Sequence, residues 1–298
     1  MNVTISGASG FIGRRLLRLL GEAGHVLRVL SRNGGVNLPR GVELSVWDPM
    51  KETPPRESVE SADAIIHLAG EPVAQRWTGE IKRKIRESRI TGTYRLVEAL
   101  AALSRRPAVF VCANAVGYYG SRGDEMLDES SAPGTGFLTE VCLDWEREAR
   151  AAEALGIRVV VVRIGVVLDP RGGALARMLP PFRLGLGGPL GSGRQWMPWI
   201  HLADLAEFFR FAVEQPVRGV LNGVAPFPVT NLEFTKSLAR ALHRPAIFPV
   251  PPFALKMLFG EMAEVLLASQ RVVPRCAEAA GFRFRFPQLE PALADLVR

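Results

Sequence analysis

Three glycines in the order G-x-x-G-x-x-G, Gly7, Gly10 and Gly13, follow the short apolar run of residues 3–6 and open a stretch, residues 11–20, whose apolar side chains recur at helical spacing. A strand that turns through glycines directly into a helix admits few architectures. Glycine lets the main chain turn tightly and lets a diphosphate approach the backbone, while the free N–H groups and positive end of the helix face the negative charge. Gly13 would let the helix lie close to the sheet. In this strand–turn–helix setting the spacing reads as a dinucleotide-binding loop formed by Gly7, Ser9, Gly10, Phe11, Ile12 and Gly13.

Further apolar runs at residues 26–30, 42–46, 64–68, 108–112 and 159–162 alternate with helical patterns at 80–103 and 137–154. Parallel neighbours need crossover connections, and continuous Val and Ile runs suit strands buried on both faces. The expected fold class is therefore α/β, a doubly wound parallel sheet. Past Arg163 the character changes. Residues 179–198 are crowded with Gly and Pro and predict an irregular segment at the rim of a substrate site. Helical patterns return at 201–214, 231–242 and 253–267, with a short strand at 220–222. The expected division is a nucleotide-binding domain over 1–165, joined by part of 200–225, and a smaller, discontinuous C-terminal α/β substrate lobe over 166–298.

With 298 residues, 48% of them hydrophobic, the chain can bury a core without disulfides or metal. No apolar stretch reaches the roughly 18 residues of a membrane span, and the N-terminus runs into its first strand without a leader pattern. A cytoplasmic protein with no membrane partner is expected. Cys112, Cys142 and Cys276 and the four histidines lack metal-ligand spacing, so no metal is expected either. The net charge of +7 is scattered along helical segments, densest at Arg14, Arg15 and Arg18 and from Lys82 to Arg89. Without a nucleic-acid motif these read as solvated faces. The partner expected is a small-molecule substrate, not nucleic acid; a homodimer is entertained as the assembly.

At the end of the second strand, about 20 residues past the loop, an Asp or Glu would hold the ribose 2′-hydroxyl of NAD. Here the residues are Ser31 and Arg32. An acid would repel a 2′-phosphate, whereas a guanidinium can pair with it through two hydrogen bonds and a nearby hydroxyl can donate a third. The expected cofactor is NADP(H).

To these residues the chain adds Leu68-Ala69-Gly70-Glu71, Arg76-Trp77, Ser88-Arg89-Ile90, Gly117-Tyr118-Tyr119-Gly120, Gly165-Val166-Val167-Leu168, Leu184-Gly185-Leu186-Gly187-Gly188 and Trp199-Ile200-His201. Over nearly its whole length it thereby resembles the extended short-chain dehydrogenase/reductase superfamily, and within it an atypical epimerase-family branch. The resemblance implies a Rossmann fold, bound NADP(H) and a C-terminal lobe over the nicotinamide, and names no substrate. By position it places Leu68, Ala69 and Gly70 beside the cofactor at the end of the fourth strand. Val166 and Val167 fall on its nicotinamide side, where a core role is equally natural for valine. Arg89 stands where the superfamily commonly has Asn, as a cofactor contact or as a solvated helical arginine.

Reductases and epimerases of that superfamily use Ser with Tyr and Lys spaced Y-x-x-x-K, the lysine-assisted phenol exchanging a proton as hydride moves. The resemblance aligns Asn114 with the serine, and Leu138 and Cys142 with the Tyr and Lys, where neither can do that work. Asn114, Tyr118 and Tyr119 are the catalytic candidates: the amide could orient a carbonyl, and either phenol could serve if it is not simply packed. Glu71, Trp77, Trp199 and His201 are substrate candidates, with a loop carboxylate, interface tryptophans and a helix cap as the plainer readings. Three functions remain open: an NADP(H)-binding oxidoreductase, a nucleotide-sugar epimerase, and a non-catalytic NADPH sensor or partner module.

Overall fold

Each apolar run of the first half finds parallel neighbours in the structure, a computed structural model that describes residues 1–297. Strands β1 (Asn2–Ser6), β2 (Val26–Ser31), β3 (Glu43–Val46), β4 (Ala64–His67) and β5 (Val109–Ala115) are followed by the two-residue β6 (Met126–Leu127) and by β7 (Arg158–Ile164). Later come β8 (Val166–Asp169), β9 (Trp196–Met197), β10 (Trp199–His201), β11 (Gly219–Gly223), β12 (Val229–Thr230) and β13 (Arg271–Val272). The main sheet has seven strands in the order β11-β7-β5-β4-β1-β2-β3, and every pairing in it is parallel. The doubly wound α/β reading holds.

Crossover helices α1 (Phe11–Glu22), α2 (Arg56–Glu60), α3 (Gly79–Ala101), α4 (Phe137–Arg150) and α6 (Leu202–Glu214) cover the sheet, α1 packing on α6 and α3 on α4. The central strands are fully enclosed, as their unbroken apolar runs require: Ile5, Ile65, Ile66, Val109, Phe110, Val111 and Val160 lie in the core. Leu16, Leu17 and Leu20 present one side of α1 to it. Each such side chain contributes about 2 kcal/mol by leaving water.

The strand β11 returns from far along the chain to complete the sheet edge beside β7. A second core forms from α5 (Gly173–Arg183), α7 (Asn231–Leu242) and α11 (Leu289–Leu296), around Leu175, Leu179, Phe182, Trp199, Phe234, Leu238 and Leu293. Of the short helices α8 (Pro252–Phe259), α9 (Ala263–Leu267) and α10 (Arg275–Ala279), the last packs on β11 and puts Ala277 into the main core.

Two local expectations need correction. The irregular segment expected from residue 179 begins later, because α5 runs through Pro180 and Pro181 to Arg183. Proline removes a helical hydrogen bond, but Leu175, Leu179 and Phe182 are buried on one face of α5, and that burial outweighs the loss. The helix expected over 253–267 is broken at Gly260 into α8, a short 3₁₀ turn and α9.

Candidate functional site

Gly7 leaves β1 with φ at +73°, the left-handed region, and a Cβ there would stand 2.7 Å from the backbone of Leu68 and Ala69. Both conformation and space demand glycine. At Gly13 a Cβ would lie 2.4 Å from Ala8 Cα, so the first turn of α1 sits directly on the loop. Gly10 donates its N–H to Gly7 O at 3.1 Å and precedes α1 with no side chain capping the helix. Ser9 is exposed, and Phe11 and Ile12 are half-buried at the start of the helix. The N–H groups of that first turn therefore remain free for an anion.

Ser31 closes β2 and accepts from Asn33 N–H at 3.3 Å through its Oγ. Arg32 beside it is exposed. Its guanidinium makes no hydrogen bond or ion pair among the described residues, although with the Met50 N–H and Lys51 it helps hold the Asp48 carboxyl below the usual range.

Leu68, Ala69 and Gly70 follow β4 at the same end of the sheet. A Cβ on Gly70 would meet the Arg89 guanidinium at 3.0 Å. Arg89 is not a solvated helix-face residue: Nη1 donates to the Glu71 carbonyl at 2.9 Å and the Ile85 carbonyl at 3.1 Å, and the guanidinium lies 5.1 Å from the Trp145 ring centroid. Its Nε and Nη2 make no hydrogen bond among the described residues. Val167, on β8, is 7% exposed and belongs to the main core.

Two neighbours of this crevice went unnoticed in the sequence. Gly172 and Gly173 let the turn after β8 close on Phe11, whose ring atoms would stand 2.9 Å and 3.2 Å from added Cβ atoms. A Gly-Gly pair directly after Asp169-Pro170-Arg171 was the available signal. The other is His67, fully buried on β4, whose Nδ1 lies 2.5 Å from Ser6 Oγ and so links the ends of β1 and β4 beneath the loop. Burial, with help from Arg89, pulls its pKa down to about 4.

The unfolded chain protonates His67 near its ordinary value while the folded state refuses that proton down to about 4. Between those values the unfolded state binds more protons, so stability is present above the window and is lost as pH falls through it, by about 3 kcal/mol in all. Urea midpoints for wild type and His67→Gln, compared from pH 7.5 down to 4.5, should show this slope flattened in the variant. Parallel slopes would mean that another group titrates there.

Around β5 the structure separates the catalytic candidates. Asn114 is 3% exposed, and both ends of its amide are engaged inside the chain, Nδ2 donating to Cys142 O at 3.0 Å and Oδ1 accepting from Ala115 N–H at 2.7 Å. These bonds tie the Asn114 amide to α4 and to its own strand. The expectation for Tyr119 is corrected. It is wholly buried, accepts from Arg163 Nη1 at 3.0 Å and donates to Asn222 Oδ1 at 2.7 Å. Burial pushes its phenol up to about 12 in spite of Arg163. Arg163 in turn donates Nη2 to Glu146 Oε2 at 2.9 Å, completing a buried chain from α4 to β11.

Tyr118 is different. It is half-buried, its hydroxyl makes no hydrogen bond among the described residues, and the Arg163 guanidinium lies 3.3 Å from its ring centroid. Leu138 and Cys142, one turn apart on α4, pack on the turn after β5: a Cβ on Gly117 would stand 3.1 Å from Leu138 Cβ and 3.7 Å from Cys142 Sγ. Burial pushes the Cys142 thiol up to about 11, so it stays protonated and uncharged at neutral pH, unlike a lysine.

The substrate candidates divide as well. Glu71 is half-buried and accepts from Gln75 Nε2 at 3.2 Å. Trp77, 8% exposed, donates its indole Nε1–H to the Val73 carbonyl at 2.9 Å and packs edge-on against Phe137, while its backbone N–H donates to the Phe259 carbonyl at 3.4 Å, tying this segment to α8. Trp199 is corrected: it is completely buried in the second core, with Nε1 donating to Phe227 O at 3.2 Å. His201 caps α6, the plainer of its two readings, its Nδ1 accepting from Ala203 N–H at 3.0 Å.

A parallel sheet with a glycine loop at the start of its first crossover helix, an unpaired arginine past the second strand and a further lobe beyond defines the extended dinucleotide-fold class. Residues 3–225 match the NAD dependent epimerase/dehydratase family, and residues 250–296 match a domain of unknown function, DUF1731. This chain belongs to the NAD dependent epimerase/dehydratase family. It is 42% identical to the chloroplastic epimerase family protein SDR39U1 homolog of Arabidopsis thaliana, over 100% of this chain and 87% of that protein. The crystal structure of human epimerase family protein SDR39U1 (isoform2) with NADPH is similar over 100% of this chain and 99% of the other, with TM-score 0.89 and 37% identity. A structure described as the nucleoside-diphosphate sugar epimerase from Corynebacterium glutamicum aligns with TM-score 0.80 and 35% identity over 100% of this chain and 58% of that one.

Proposed function

We propose that this chain binds NADPH at the carboxyl end of the sheet and acts as an oxidoreductase on a small molecule held between the sheet and the second lobe. The observation that carries this is the cradle at Gly7 and Gly13, where no side chain fits, with the unpaired Arg32 at the end of β2. The similarity to a human protein crystallised with NADPH supports it. The nicotinamide supplies hydride chemistry when bound.

The chain's own contributions follow from where its groups stand. Loop amides and the start of α1 hold a diphosphate, Ser31 and Arg32 hold an adenosine 2′-phosphate, and the free nitrogens of Arg89 face the crevice beside Leu68, Ala69 and Gly70. Val167 closes the site from β8. Tyr118 offers a phenol free to pass a proton, with Arg163 fixing its ring. A cytosolic setting fits the three cysteines, none of which is paired.

Titrating cofactor by fluorescence should show Arg32→Ala weakening NADPH binding about tenfold to a hundredfold, the worth of hydrogen bonds to a charged group, with NADH binding little changed. Equal losses for both nucleotides would remove the 2′-phosphate assignment. Against a panel of carbonyl metabolites, with NADPH consumption followed by absorbance, Tyr118→Phe should slow turnover by about a hundredfold or more, the scale of a lost general acid. An unchanged rate would move the proton transfer elsewhere.

A second reading, nucleotide-sugar epimerisation, is favoured by the described activity of the Corynebacterium glutamicum relative. It predicts thermal protection by a sugar nucleotide and a cofactor retained rather than consumed. The packed Leu138 and Cys142 favour a third, a non-catalytic NADPH sensor. Sustained substrate-dependent loss of NADPH excludes both.

A further inference from the structure

A cavity of roughly 260 Å3 opens between α1, the turn after β8, the start of α6 and α11. Its charged lining consists of Arg15, Asp169, Arg171, Arg285 and Asp295, with His201 among them. Arg15 stands one turn beyond Phe11 on α1. The Asp169 carboxylate is taken up by Arg171, which reaches it through Nε at 3.0 Å and Nη2 at 2.8 Å. Arg15 and Arg285 have no ion pair among the described residues; the Arg285 guanidinium only lies over the Phe286 ring, 5.0 Å from its centroid.

His201 gives this cavity its direction. The residue is 5% exposed, and its ring stacks on Phe286 at 4.1 Å between centroids. Because Nδ1 accepts from Ala203 N–H, the proton of the neutral ring sits on Nε2. Burial lowers the pKa, against Asp295 and Asp169, so the neutral form prevails at pH 7. That Nε2 is buried without a hydrogen-bond partner. The nearest carboxylate oxygen, Asp295 Oδ2 at 3.4 Å, is an electrostatic neighbour on a side chain 43% exposed at the mouth. A buried donor left unmade costs about 1–3 kcal/mol, and such an atom calls for an acceptor. The start of α6, thirteen residues long, adds its positive end on the same side.

We propose that this cavity is a second binding site, taking the oxyanion group of a small phosphomonoester or carboxylate between Arg15, Arg285 and the Nε2–H of His201. Three guanidinium groups face two carboxylates there, and one of those carboxylates is already neutralised by Arg171. The volume is several times the space of one water, about 30 Å3, so it accepts a metabolite rather than a single solvent molecule.

The test uses the whole chain saturated with NADPH, which keeps added anions off the glycine loop, at fixed ionic strength. Inorganic phosphate and malonate are titrated in separate arms while the His201 imidazole resonances, assigned by their loss in His201→Asn, are followed by NMR. Saturable shifts are expected, with affinity reduced about tenfold or more in an Arg15→Gln, Arg285→Gln double variant whose thermal midpoint matches wild type. Tighter phosphate identifies the phosphomonoester and tighter malonate the carboxylate. Shifts that never saturate with either anion, or affinities unchanged in the double variant, overturn the proposal. Because the readout sits at His201 and depends on Arg15 and Arg285, it stands or falls separately from the nucleotide reading.

Discussion

Glu146→Ala should cost the fold about 3–5 kcal/mol, the penalty for stripping a buried charge of its partner. The side chains of Arg163 and Glu146 are 3% and 11% exposed, and the carboxylate is the only anion bonded to that guanidinium among the described residues. Without it Arg163 keeps the Tyr119 hydroxyl and the faces of two aromatic rings, neither of which neutralises it. Arg150 approaches Glu146 no closer than 3.8 Å and does not change this balance. Urea unfolding followed by circular dichroism gives the difference. Replacing both partners with apolar residues, Glu146→Leu with Arg163→Met, should recover most of the loss, since two apolar groups leave no orphaned charge behind. A single-variant loss of only about 0–1 kcal/mol, as for an exposed pair, would refute the idea that the network is closed to water.

For Gly13→Ala the expected result is near-complete loss of NADPH binding together with lower thermal stability. The added methyl would have to occupy a point 2.7 Å from Gly7 O and 2.8 Å from Ala8 C. Those are backbone atoms of the loop itself, so relief comes only by moving α1 away and spoiling the amide geometry a diphosphate needs. Fluorescence titration and a thermal scan on the same sample separate the two effects. Binding at wild-type affinity would show that the loop does not hold the nucleotide.

The main sheet was legible because its strands are apolar throughout and its crossover helices are amphipathic; α1 and α7 fell close to their expected bounds for that reason. The loop was legible because a glycine pattern carries its own mechanism. Arg89 could be read only halfway. Its neighbourhood of Lys82, Arg83, Lys84 and Arg86 suggested solvent, whereas the absent side chain at Gly70, distant in sequence, makes the space that encloses it. Asn114, Tyr119, Trp199 and His201 all looked like chemistry because they are polar or aromatic and stand at strand ends. Their partners, Cys142, Asn222, Phe227 and Ala203, decide how each side chain is held, and most of these lie far along the chain. Period and composition carry no record of such pairings. The second lobe was the least legible part, since α5 depends on tertiary burial to run through two prolines.

The late return of β11 governs the order in which this molecule can come into being. A ribosome that has released everything through β7 has produced a sheet with a raw edge, where β7 lacks the partner that pairs with it from Val160 to Ile164. The Asn222 acceptor for Tyr119 is then also unmade. Nascent nucleotide-binding halves must therefore wait, open along one side and prone to recruiting foreign strands, until more than fifty further amino acids have been translated to seal them.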